Sequence, residues 1–116
     1  GLFLYEAKTH TLKKIHDKDI RTLTGNQPFV KDAPMNLVFV ADYTRVKGGK
    51  SDDARHYAGM DAAYISQNVY LFSASAGLAT VARGSVDRDA LAKEMNLLPT
   101  QEIILAQSVG YQSIQK

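Results

Sequence analysis

Leu2, Phe3, Leu4 and Tyr5 stand in a row, Lys8 to His10 interrupts them, and Thr11 to His16 resumes a strand-like run. That pattern predicts a strand over Gly1 to Ala7, a turn, and a second strand paired back on the first as a hairpin. Asp17 suits the N-cap of a short helix with Ile20 and Leu23 on one face, which Gly25 ends. Two prolines punctuate Asn26 to Pro34, which reads as loop or a short helical turn. The continuous apolar run Leu37 to Val40, inside Met35 to Tyr43, predicts a strand buried on both faces. Arg45 to Lys50, with Gly48 and Gly49, reads as a mobile loop.

The longest element follows. Asp52 and Asp53 place negative charge where a helix begins, and nothing breaks the pattern from Ala54 to Ala76, with Gly77 at the C′ position. The second half of this helix is apolar around much of its circumference (Ile65, Val69, Tyr70, Leu71, Phe72, Ala74, Ala76). Such a helix is buried on several sides. It would span the whole of a small domain, so another subunit or a further segment is expected to cover it. Leu78 to Ala82 predicts a short strand. Asp87 predicts the cap of a helix with Leu91, Met95 and Leu98 on one face, stopped before Pro99. Glu102 to Val109 predicts another buried strand, and Gln112 to Lys116 is a polar tail.

Strands and helices alternate, which predicts an α+β fold: a mixed β-sheet flanked by helices, with one long central helix. The 116 residues suit a single domain over 1–116. Composition is globular, at 45% hydrophobic and 22% charged. A net charge of +2 is too small to argue for nucleic acid or an anionic membrane. Cysteine is absent, which excludes disulfides, thiolate metal sites and a cysteine nucleophile. No secretory signal pattern or membrane-spanning run occurs, and a soluble, cytoplasmic protein is expected.

Side-chain chemistry is sparse. His10, His16 and His56 lack ligand spacing with a carboxylate, so no metal site is expected. Asp52 and Asp53 read as helix-start charges rather than an acid/base pair. Ser66, Ser73, Ser75 and Ser85 have no nucleophile-elbow context. The stretch GLATVARG is neither a P-loop nor a dinucleotide fingerprint. A protein without a catalytic constellation binds something or takes its chemistry from a cofactor.

The stretch YISQNVYLFSASAGLATVARGSVDRDALAKEMNL, followed by EIILAQSVGY, resembles the C-terminal half of nitroreductase-type flavoproteins. That family shows a long dimer-core helix, a Gly-Leu-Gly/Ala-Thr strand, a tight turn, a helix, and a strand ending in Val-Gly-Tyr/His. GLFLYEAKTHTL and FVKDAPMNLVFVADY are similar to the subgroup related to peptide-azoline oxidases. The resemblance covers nearly the whole chain. It implies an FMN cofactor whose N5/O4 edge meets backbone N–H groups of Arg83, Gly84 and Ser85, with Ala82 packed on the ring. Without the resemblance, this stretch reads first as a strand-to-helix connection in which glycine only relieves sterics. The Arg83 guanidinium has two readings: it stabilises the reduced ring near N1–O2, or it pairs with an acidic residue at the surface.

The family's N-terminal Arg/Ser cluster, which clamps the FMN phosphate, has no counterpart in these residues. Of the basic residues that often follow Val-Gly-Tyr, only Lys116 is present. The chain is therefore expected to be roughly the last 60% of such a protein. The resemblance implies a homodimeric, FMN-dependent oxidoreductase in which NAD(P)H reduces the flavin and a nitroaromatic or quinone accepts the electrons. The alternative is a flavin-free interaction domain with no catalysis.

Overall fold

The computed structural model describes residues 1–113; the end of the polar tail, with Lys116, lies outside the described residues. Five strands and two α-helices follow in the order β1 (Leu2–Glu6), β2 (Thr11–His16), β3 (Met35–Asp42), α1 (Asp52–Ala76), β4 (Ala79–Arg83), α2 (Arg88–Glu94) and β5 (Gln101–Gly110). Three 3-10 turns occupy Arg21–Thr24, Pro28–Lys31 and Tyr43–Arg45.

The expected hairpin forms: β1 and β2 pair antiparallel, with Tyr5 opposite Leu12 and a bulge between Leu2 and Phe3. Its far end is tied to α2, where His16 Nε2 meets the Glu94 carbonyl at 3.0 Å and Lys18 Nζ meets the Glu94 carboxylate at 3.3 Å.

The main sheet has the order β3-β5-β4. Both ladders are antiparallel, with Val38 opposite Ala106 and Val81 opposite Ser108. The fold is α+β as expected, and the sheet's mixed character has no parallel ladder among the described residues. The central strand is β5, not β3. Four consecutive β5 residues, Ala106 to Val109, are buried, which covers both faces. β3 is only half-buried because it pairs on one side alone. The core gathers Val86, Leu91, Ile103 and Ala106, with Ile20, Leu23, Val38, Val40, Met95 and Leu97 against them.

Several local expectations shift. Asp17 caps no helix; it pairs with Lys14 at 2.8 Å. Asp19 instead organises the start of the first 3-10 turn, accepting from the Arg21 backbone N–H at 3.1 Å and from its guanidinium at 2.7 Å. Gly25 has φ 174°, which is extended backbone and not a left-handed helix stop. The segment around Arg45 to Lys50 is tied down: Gly49 N–H donates to Val46 O at 2.9 Å, and Lys50 reaches Glu102 at 3.0 Å. In α2, Asp87 caps as expected by accepting from Ala90 N–H at 3.1 Å. The helix closes at Glu94, and Asn96 turns left-handed at φ 55°. That turn points Leu97 into the core and leaves Leu98 61% exposed.

Helix α1 has 25 residues, which at 1.5 Å each makes about 37 Å. Ser51 caps it, accepting from Ala54 N–H at 3.1 Å. Gly77 ends it at φ 71°, where Gly77 and Leu78 N–H both turn back to Ser73 O. A Cβ would resist that left-handed conformation. The helix buries only small residues, Ala62, Ser66 and Ser73, and it packs on β4 and β5. Tyr64, Ile65, Leu71 and Phe72 face outward, Tyr64 at 73% and Phe72 at 65% exposure. The all-round apolar character of the second half is therefore not absorbed by this chain's own sheet.

Candidate functional site

β4 ends at Arg83, and the chain crosses to α2 through Gly84, Ser85, Val86 and Asp87. Gly84 and Ser85 are exposed, while Arg83 before them and Val86 after them are buried. Two buried anchors thus hold a short exposed turn at a strand end. Among the described residues, the backbone N–H groups of Gly84 and Ser85 donate to no acceptor.

The carbonyls of Gly84 and Ser85 are both engaged. Arg88 Nη1 donates to Gly84 O at 3.1 Å, while its Nε and Nη2 donate to Ile103 O and Ile104 O of β5 at 3.0 and 2.8 Å. The peptide unit is planar and trans, so fixing the Gly84 carbonyl sends the Ser85 N–H the opposite way. Ser85 O accepts from Asn26 N–H at 3.3 Å, and Ser85 Oγ accepts from Asn26 Nδ2 at 2.8 Å. From the helix side, the Tyr70 hydroxyl accepts the Ala82 N–H at 2.7 Å. Tyr70 thereby satisfies an N–H on the open edge of β4.

Arg83 does not pair with an acidic residue at the surface, as one of the two expectations had it. It is 4% exposed, and no carboxylate lies within ion-pair distance among the described residues. Its guanidinium donates to Thr24 O, to Thr24 Oγ1 at 3.3 Å and to Asn36 Oδ1 at 2.9 Å. Burial pushes its pKa down from the usual arginine value. A buried charge without an opposite charge needs dense hydrogen bonding to persist. The network supplies it: Asn36 Nδ2 donates to Val30 O at 2.8 Å, and Ser108 Oγ donates to Asn36 Oδ1 at 2.5 Å. Of the three guanidinium nitrogens, Arg83 Nε lacks a partner. Gly25 is shaped by this group, since a Cβ there would overlap the guanidinium.

Gly84 meets no steric demand from the chain itself. Its φ is not in the left-handed region, and a Cβ there would meet nothing within 4 Å. The fold itself does not require glycine at this position.

Of the residues singled out from sequence, Ala82, Arg83, Gly84 and Ser85 do form one continuous strand end and turn. Sequence reasoning missed the residues that hold it: Thr24, Asn26, Asn36, Tyr70, Arg88 and Ser108. Asn36 and Ser108 carried a readable signal, as polar residues inside otherwise apolar strand runs.

The profile of the Nitroreductase family matches residues 2–111. A protein of Methanocaldococcus jannaschii assigned as a nitroreductase is 30% identical over 89 residues, covering 73% of this chain and 45% of that protein. The crystal structure of an assigned nitroreductase from Ralstonia eutropha JMP134 superposes with a TM-score of 0.90 at 36% identity, covering 99% of this chain and 55% of that one. A nitroreductase family protein from Clostridium difficile 630 shares the fold at TM-score 0.62 and 24% identity, over 73% of this chain and 49% of its own. An FMN-dependent nitroreductase from Clostridium difficile R20291 does so at 0.54 and 22%, over 76% and 51%. The chain thus spans about half the length of the relatives it matches. Across residues 2–111, this chain belongs to the nitroreductase family.

Proposed function

We propose that this chain carries the ring-edge half of an FMN-dependent oxidoreductase. In it, NAD(P)H is the reductant and an electron-poor acceptor such as a nitroaromatic or quinone is the oxidant. The protein would be a cytoplasmic homodimer, of the subgroup related to peptide-azoline oxidases. The observation that carries the reading is the pair of unengaged N–H groups at the exposed residues Gly84 and Ser85, held at a strand end by buried anchors. When bound, FMN supplies hydride and electron transfer at its ring, which needs no acid or base side chain.

The chain's residues fit that group at one edge. Backbone donors aimed at the N5/O4 side favour the ring as it gains negative charge, and they bring no titrating proton. Open space over Gly84 leaves room for a flat ring to approach the backbone. Ala82, half-buried and one residue before the anchor Arg83, would lie against the ring. The FMN dependence of the Clostridium difficile R20291 protein, which shares the fold, agrees with this reading. The outward apolar residues of α1 supply the surface that a second copy would cover.

Gly84→Val in the intact protein tests it. A Cβ at Gly84 touches nothing in the fold, so circular dichroism and melting should match the parent. FMN affinity, followed by flavin fluorescence, should fall at least about tenfold, or 1.4 kcal/mol. Equal FMN affinity in parent and variant would reduce this turn to a connector. A parent that takes up no FMN would favour the flavin-free interaction domain.

A further inference from the structure

The loop Thr24 to Asn26 and the turn Arg83 to Ser85 are cross-linked at both ends. At one end the Arg83 guanidinium holds Thr24 through its carbonyl and hydroxyl, and it holds Asn36 of β3 as well. At the other end Asn26 holds Ser85 through two hydrogen bonds. Between these ties lie two glycines with opposite roles. Gly25 leaves the space that the guanidinium fills, and Gly84 makes no contact at its Cβ position. Gly84 is therefore the free middle of a clamped segment.

Resting on the flavin reading above, we propose that the Arg83 side chain is a positioning residue. From beneath the turn it fixes the Thr24–Asn26 loop against Gly84 and Ser85. It thereby sets how strongly their two N–H groups favour reduced over oxidised flavin. The guanidinium suits this work because its planar fork reaches several acceptors in fixed directions. Here those acceptors come from two separate segments, the loop before β3 and β3 itself. An ammonium at the same place keeps the charge but loses the fork. A lysine therefore separates position from charge. Asn26 offers a second separation, since removing its amide loosens the same loop without touching any charge.

Arg83→Lys and Asn26→Ala in the FMN-loaded protein test the proposal. Each should lower the preference for reduced over oxidised FMN by about tenfold, a midpoint potential about 30 mV more negative for the two-electron couple. In the FMN-free protein, each should also speed exchange of the backbone amide at position 26, which donates to Ser85 O, by about tenfold, while exchange in β5 stays at the parent's rate. Should Arg83→Lys not fold, Asn26→Ala carries both readouts. Parent-like potentials in the folded variants would overturn the proposal. Parent-like exchange of the amide at position 26 would overturn it too. If the parent binds no FMN, the flavin reading fails and the link to potential falls with it; amide exchange then separately decides whether Arg83 holds the turn.

Discussion

Asn26 and Ser85, 59 positions apart in the chain, meet twice: the Asn26 side-chain amide donates to Ser85 Oγ at 2.8 Å, and the Asn26 backbone N–H donates to Ser85 O at 3.3 Å. This is a long-range closure made almost at the surface. Asn26→Ala removes the side-chain half and should cost about 1 kcal/mol in denaturant unfolding. Ser85→Ala should cost a similar amount. The double variant should cost clearly less than the sum, because both changes delete the same bond.

Tyr70→Phe removes the hydroxyl that accepts the Ala82 N–H, leaving a partly buried donor unpaired on the edge of β4. The expected loss is about 1–3 kcal/mol, since an unsatisfied group costs more than a bond is worth. Thermal unfolding monitored by circular dichroism reads it directly. A stability equal to the parent's would mean that water replaces the hydroxyl without penalty.

Phe72→Glu probes the outer face of α1. Phe72 is mostly exposed in the single chain, so a charge there should leave its own fold intact. If a second copy covers this face, the charge is buried without a partner at the interface, at a cost of several kcal/mol. Sedimentation should then show monomer where the parent sediments as dimer. Identical sedimentation of the two proteins would place the interface elsewhere.

Asp19 gives a pH signature. Hydrogen bonds from the Arg21 guanidinium and backbone hold its carboxyl at about 2, below the usual 3.8. A depressed carboxylate adds stability above its unfolded value and loses it as pH falls through the folded one. The stability difference between the parent and Asp19→Asn should therefore be constant above about pH 5 and shrink between about pH 4 and pH 2. Urea midpoints across that range measure it, and a difference independent of pH would exclude the ion pair as the cause.

Local chemistry is readable wherever it is decided locally. Asp87 caps α2, Gly77 ends α1, and the hairpin turns where polar residues interrupt its strands. Pairing partners are not readable in this way. An apolar run cannot say whether it lies at the centre or the edge of a sheet, so the pattern assigns β3 a two-sided burial that belongs to β5. Arg83 shows the same limit more sharply. Its partners stand 59 and 47 positions away, and nothing beside it in sequence announces an inward guanidinium. Gly25 has the sequence position of a helix stop, yet its extended φ shows that the glycine answers to a distant side chain rather than to its own backbone.

The inverted packing of α1, with Ala62, Ser66 and Ser73 against its own sheet and its bulky residues outside, leaves an apolar face that its own sheet does not bury. Whatever covers the outer face contributes apolar burial that this chain cannot supply to itself. If that cover is a second copy of the chain, folding and assembly merge into one concentration-dependent event. A dilute sample should melt at a lower temperature than a concentrated one of identical sequence, so the abundance of the covering surface acts as a stabilising ligand for the fold.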